Sequence, residues 1–374
     1  MIGARGGYLA AFNIGSRKDF IREDELIKFK MIEEAGNVLP SFELIFDVRD
    51  SSIIPLLAEG NTIYSMLGKD ENSITNIRLN ILKREKIRNT SATQRVRLVG
   101  VFDAVPYMTS ATVDTYNGTS LSIIKKLVSK YFRFQTNIRT TDDSMVWVRE
   151  NISDRAFINR LWLHSHLKSD TLLTGICSDG LFRYSSLKNL LDQDPTWKFS
   201  AKASREKNSL TYNGSPKIWS DSGFINHLAG YARSRIIHDV DKISTTYNTP
   251  NNGLLMAVSK EAERNPDVGR ILSKVSVVNS NIHEQFYQAY DNNVRNLLLL
   301  NTLKAKVSFD GEYFPIRLHD IAMFKDDADS VNRESSEDSS GLWVTSKVCR
   351  IVTDREFKTI VTLSRDGMNS VVRT

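Results

Sequence analysis

The chain has 374 residues, 41% of them hydrophobic and 25% charged, with a formal net charge of +6. That length calls for two or three cores rather than one, and the apolar fraction excludes wholesale disorder. Cys177 and Cys349 lie far apart without CxxC spacing, so they read as core thiols and indicate neither a disulfide framework nor a zinc site.

Residues 41–111 read as antiparallel sheet, because Phe42, Leu44, Phe46 and Val48 alternate with Glu43, Asp47 and Arg49 at the period of a strand with one wet face. Ile77, Leu79 and Ile81 make the next strand and residues 96–105 another, separated by turn-rich stretches at 68–73 and 89–93. Evenly spaced strands without long helices between them predict a small barrel or sandwich. At Asn117-Gly118-Thr119-Ser120 the period changes: a turn and a capping hydroxyl precede Leu121, Ile124, Leu127, Val128 and Tyr131 at helical spacing. Ser153 and Asp154 open a second helix, with Phe157, Ile158, Leu161 and Ser165 on one face and Ser169-Asp170 at its end. Residues 172–177 and 181–184 then flank Ser178-Asp179-Gly180 as a hairpin.

Residues 196–213 return to short strands, 221–235 have helical character, and 245–253 form a polar loop. Asn281 and Glu284 fit a capping box, with Phe286, Tyr290, Val294, Leu297 and Leu298 as the apolar stripe of the helix they open. Leu303, Ala305, Val307 and Phe309 alternate with polar residues up to a turn at Asp310-Gly311. Two further strands, 342–352 and 357–364, are joined by the short turn 353–356, with Phe357, Thr359, Val361 and Leu363 on one face. Residues 325–340, rich in Asp, Glu and Ser, read as an exposed loop. The fold class is therefore α+β, mostly β. A β domain at 1–112 is followed by a small α/β domain at 113–195, then by a second β domain at 196–250 and 301–374 that a helical insertion at 251–300 interrupts.

No catalytic, cofactor-binding or metal-ligating set emerges. His164 and His166 are the histidine pair closest in sequence, but positions i and i+2 of a helix point about 160–200° apart and cannot share a metal, so they read as surface or interface residues. His283-Glu284 opens like a zinc-protease motif, yet Tyr287 stands where the second ligand is required. No GxSxG elbow, P-loop or GxGxxG occurs, and the glycines of Gly3-Ala4-Arg5-Gly6-Gly7 have no preceding strand to support a phosphate cradle. For lysozyme-type cleavage Glu150 is the best general-acid candidate, although an acidic residue near a helix start is equally explained by the macrodipole. Trp147, Trp162, Trp197, Trp219 and Trp343 lack the spacing of a stacking platform, and favour core or interface packing over nucleic acid. Lys83-Arg84-Glu85-Lys86-Ile87-Arg88 reads as a solvated strand end or turn, with a positively charged docking patch as its functional alternative. Residues 1–20 carry no signal-peptide core and no stretch approaches the ~20 apolar residues of a membrane span, so the expectation is a protein made and folded in the cytoplasm, without membrane contact.

Residues 142–191, in which NRLWLHSHLKSDTLLTGICSDGLFRY follows the helix start at Ser153, resemble the mid-region of phage contractile-tail baseplate hub proteins and of the related hub region of type VI secretion spike proteins. The C-terminal third is similar too, through YQAYDNNVRNLLLLNTLKAKV and the closing pair GLWVTSKVCRIV and FKTIVTLSRDGMN, whereas 211–280 departs from the pattern. The resemblance implies two tube-type β-barrel domains per chain and a homotrimer, so that three chains present six barrels to a sixfold tail tube. It implies a tail tube protein above, a separate spike protein below because the chain stops shortly after the second barrel, other baseplate proteins, and a tape measure protein as a further partner. It implies no enzyme activity, no cofactor and no specific nucleic-acid binding, in a virion baseplate assembled in the host cytoplasm. The barrel lumen faces are expected to be polar or charged. The alternatives are a tail-associated hydrolase, which needs paired carboxylates or a metal cluster in a deep cleft, and a basic nucleic-acid-binding module, which needs a contiguous Lys/Arg face with exposed aromatics.

Overall fold

The computed structural model describes residues 2–3, 9–18, 20–22, 24–68, 74–89, 94–168, 170–220, 233–248, 271–279, 281–311, 315–326, 339–353 and 356–367. The first β unit holds β1 (Ile2–Gly3), β2 (Leu9–Ile14), β3 (Leu26–Glu34), β4 (Ser41–Val48), β5 (Thr62–Gly68), β6 (Thr75–Asn89) and β7 (Gln94–Phe102). They pair in the order β1-β2-β5-β6-β7-β4-β3, each neighbour antiparallel. The alternation expected from Phe42 to Val48 is present: Phe42, Leu44, Phe46 and Val48 are buried, together with Ile77, Leu79, Ile81, Val96 and Leu98. Phe12 on β2 meets Phe29 on β3 edge to face, with ring centroids 5.2 Å apart, although these strands stand at opposite ends of the pairing order. The sheet is therefore curled around one core. At its middle, Gly100 on β7 admits no side chain, since a Cβ there would lie 1.9 Å from the Asn80 carbonyl and 2.4 Å from the Phe42 ring.

The α/β region contains α1 (Val105–Thr109), β8 (Ala111–Gly118), α2 (Ser120–Val128), β9 (Arg133–Thr136), β10 (Met145–Ser153), α3 (Asp154–His164), β11 (Leu172–Ile176), β12 (Leu181–Ser186) and α4 (Leu187–Leu191). β8 and β10 form a ribbon, while β11-β12-β9 form a second small sheet with β12 and β9 parallel. Thr119 caps α2 through the Ser122 amide, and Ser153 caps α3 through the Ala156 amide at 3.2 Å. The hairpin turn at Gly180 takes φ +74°, a conformation glycine adopts without steric cost.

The remaining elements are β13 (Trp197–Ser200), β14 (Ser209–Thr211), β15 (Lys217–Ser220), β16 (Arg233–Asp239), β17 (Ser244–Asn248), β18 (Ile271–Val278), α5 (Phe286–Leu300), β19 (Leu303–Asp310), β20 (Ile321–Phe324), β21 (Gly341–Val352) and β22 (Phe357–Arg365). The second β unit runs β14-β13-β20-β21-β22-β19-β15, and β16, β17 and β18 make a separate three-stranded sheet. This unit also curls. Phe199 on β13 packs on Phe309 of β19 at 4.9 Å across its core, and the Asn213 amide just past β14 donates to the Ser308 carbonyl of β19 at 2.8 Å.

Several sequence expectations need correction. Among the described residues no sheet closes into a barrel; instead the two β units are one continuous sheet, because β21 pairs along one edge first with β20 (Phe324 to Ile321 against Gly341 to Val344) and then with β3 (Glu34 to Phe29 against Lys347 to Val352). The helix expected to open at Asn281 begins at Phe286 with Gln285 as its N-cap, since the Asn281 amide is taken by the Asn279 side chain in a preceding turn. Its expected apolar stripe is only half-buried at Tyr290, Val294, Leu297 and Leu298, while Asp291, Asn293, Arg295 and Asn296 are buried. Thr245 to Asn248, expected to start a polar loop, lie in β17. The helical character expected at 221–235 gives way to strand β16 at 233–235, and the helical insertion expected at 251–300 holds strand β18 at 271–278 before α5; residues 221–232, 251–270 and most of the 325–340 loop lie outside the described residues.

Candidate assembly surface

The strands that bury one face leave a second face, which on the first β unit is charged. On β6, β7, β4 and β3 it carries a ladder perpendicular to the strands. Arg97 Nη1 donates to Glu85 at 2.8 Å, Arg97 Nε to Glu43 at 2.7 Å, and Lys28 Nζ to Glu43 at 3.0 Å. Arg95 makes a two-pronged pair with Asp47 one step along, at 2.9 and 3.0 Å. Burial alone would raise the Glu43 carboxyl, but the hydrogen bonds from Lys28 and Arg97 outweigh it and hold Glu43 below its ordinary value. Lys83 and Arg97 lower Glu85 in the same way. These side chains are a fifth to two-fifths exposed, so solvent screens the pairs and the ladder sets charge pattern more than stability. The run from Lys83 to Arg88 lies in the last part of β6 rather than in a turn; Lys83 and Glu85 stand on the charged face, while Arg84 points to the other side and donates to the Ile54 carbonyl at 2.8 Å.

Beneath the face, where β21 joins the two units, buried charges clamp three regions together. Glu33 (β3) and Arg350 (β21) pair at 3.0 Å with side chains 2% and 4% exposed. Glu33 also accepts the Ser178 amide of the α/β region at 3.0 Å, and Arg350 donates to the Ile316 carbonyl at 2.5 Å. Arg183 (β12) reaches Asp320 at 2.7 Å and also bonds the Leu318 carbonyl; Asp320 in turn accepts Trp197 Nε1 at 3.0 Å and the Arg317 amide at 2.9 Å. Asp179 accepts from both Arg133 and Arg317 at 3.0 Å. His319 takes φ +64° here, and burial, with Arg183 second, pushes its ring down to about 3 against the pull of the Thr174 carbonyl.

α5 is fixed to α3 by polar groups. The Asn293 side chain donates to the Leu163 and Ser165 carbonyls at 3.0 and 2.8 Å, satisfying groups that a helix end leaves open. His164 stacks on Phe286 at 3.8 Å and on Tyr290 at 4.8 Å, which makes it an interface residue. His166 and His283 approach to 6.5 Å between ring centroids, and burial lowers His283 despite Asp143. Among the described residues no cluster of three or more His, Cys, Asp or Glu has metal-site geometry. Glu150 is 70% exposed and paired with Arg160 at 3.6 Å, without the apolar wall a general acid needs. Cys177 and Cys349 are both buried thiols. Trp147, Trp197 and Trp343 are buried.

No protein-family model matches the sequence, and no curated protein matches it. Solved structures do. A tail protein from Neisseria meningitidis matches with TM-score 0.58 and 11% identity over 97% of this chain and 98% of its own. The 43 kDa tail protein of prophage MuSo2 from Shewanella oneidensis matches with TM-score 0.58 and 9% identity over 96% and 98%. This chain has the fold of phage tail proteins. That fold extends to an Escherichia coli type VI secretion component, itself described as structurally similar to bacteriophage T4 tail proteins, at TM-score 0.50 and 11% identity over 94% of this chain and 77% of the other. The resemblance of 142–191 and of the C-terminal third thus points to the same group of proteins as the fold does.

Proposed function

We propose that the chain is a structural, non-catalytic baseplate hub of a phage contractile tail, a homotrimer that adapts a sixfold tail tube to a threefold spike. The observation that carries this reading is the shared strand β21, which joins two curled β units side by side into one sheet. Three such chains arranged in a ring would present six units, and free sheet edges would be covered by closed cyclic association. The ladder Glu85–Arg97–Glu43–Lys28 fits a wet lumen wall, since the strands bury their other face. Near full-length matches to two phage tail proteins support the tail role.

On this reading the two β units act as tube-type barrels, at 1–112 and at 196–250 with 301–374, and 113–195 stands as the α/β domain between them. The tail tube protein docks above and a separate spike protein below, with other baseplate proteins and a tape measure protein as further neighbours, in the virion tail. Native mass measurement of the purified chain tests it. Three copies are expected, burying roughly 2,000 Å² or more per interface; a chain that stays single at tens of micromolar overturns the adaptor.

A further inference from the structure

The β16–β17 hairpin ends in Val240-Asp241-Lys242-Ile243, where Val240 is 58% and Ile243 93% exposed. Ile243 has φ +50°, a conformation that a β-branched residue rarely adopts. The turn is fixed by Asp239, whose Oδ1 accepts the amides of Asp241 and Lys242 at 3.1 and 3.0 Å. Within one chain this arrangement gains nothing. Ile243 is almost wholly exposed, and Asn or Gly would remove the strain.

A cleft of about 660 Å³ lies where β3, β21, β22 and β19 meet. Ile32, Ile351 and Ile360 supply apolar lining, Trp219 stands among the lining residues, and Lys30 and Lys306 add positive charge. Lys347, also lining it, is paired with Glu34, whereas Lys30 and Lys306 have no ion pair among the described residues. Apolar lining beside uncompensated ammonium groups suits an apolar knob that brings carboxylates. The hairpin tip brings Asp239, which also pairs with Lys242 of the same tip at 3.5 Å, and Asp241 beside its apolar residues, and its exposure shows that it does not fill the cleft of its own chain.

We infer that the β16–β17 tip of one copy seats in the sheet-joint cleft of the next, with Ile243 on the apolar lining and Asp239 and Asp241 toward Lys30 and Lys306. This rests on the trimeric reading above. Tip and cleft are different places on the chain, so the contact is heterologous, and it closes into a ring when each copy gives one tip and receives one. The strained isoleucine is then retained because it anchors an interface, where a few well-seated apolar residues carry most of the binding energy.

The test uses the full chain. In a Cys349→Ser background, a protein carrying both Ile243→Cys and Ile360→Cys is oxidised and run without reductant, and covalent dimers and trimers are expected. Separately, Ile243→Asn relieves the backbone strain; the separated chain should melt no lower than wild type, while the concentration for half-assembly rises about tenfold. If wild type has the mass of three copies, no cross-link forms and Ile243→Asn assembles normally, the contact is overturned and the trimer stands, its cleft covered by another part of the neighbour. If wild type stays single, the trimer reading fails and this contact with it.

Discussion

Glu33 and Arg350 occupy core positions of strands whose other inward residues are Phe29, Met31, Val348 and Val352. Removing one partner leaves a buried charge alone, so Glu33→Gln or Arg350→Met should cost about 3–5 kcal/mol in urea unfolding, while the double change to Met at both positions should recover much of the loss. A double variant as unstable as the worse single one would contradict this. His319 gives a pH signature. Its folded value of about 3 lies below the ordinary 6.5, so the unfolded chain binds the proton first; stability is complete above pH 6.5 and declines as pH falls toward 3, by about 1.4 kcal/mol per unit. His319→Asn, which tolerates φ +64°, should flatten the dependence of the urea midpoint between pH 6.5 and 4. The Glu33–Arg350 pair was legible in principle, because a charge at core parity in each of two strands signals a buried partner. What hides it is β3, where a register shift between Leu26 and Lys28 breaks the alternation that marks a strand.

At the scale of elements, strands with clean period-two patterns and helices with hydroxyl caps were readable, as β4, β19, β22, α2 and α3 show. α5 was found but oriented wrongly. Apolar periodicity assumes that the apolar side faces inward, whereas this helix buries Asn293 and Asn296 against polar groups of α3 and Thr171 and leaves Leu297 and Leu298 half-exposed. Asn293→Ala should therefore destabilise by about 1–3 kcal/mol, since the Leu163 and Ser165 carbonyls lose their donor, and should speed hydrogen exchange in the last turn of α3. Protection of that turn left unchanged would remove the capping role. Gly100→Ala tests β7 more severely: the added methyl meets the Asn80 carbonyl, so β6–β7 pairing has to shift, and a loss of more than about 3 kcal/mol is expected in the same assay.

At the scale of the whole molecule, two β regions were visible in the sequence but their fusion was not, because strand periodicity reports which face is buried and says nothing about which edge pairs with which. β21 is long enough, at 12 residues, to serve β20 with one half and β3 with the other, and only the three-dimensional register reveals that division. A consequence follows for cooperativity. Linkers between domains ordinarily let each melt alone, with small polar interfaces between them. Here β21 cannot leave one unit without stripping the other, and the Glu33–Arg350, Arg183–Asp320 and Asp179–Arg317 pairs tie the α/β region to the same joint. Calorimetry should accordingly show the two β units unfolding in one transition, with van't Hoff and calorimetric enthalpies in agreement for that peak. Arg350→Met, by loosening the joint, should broaden or split it. Two well-separated transitions in the wild-type chain would mean that the shared strand does not couple the units, and a rigid two-unit adaptor would then lack its physical basis.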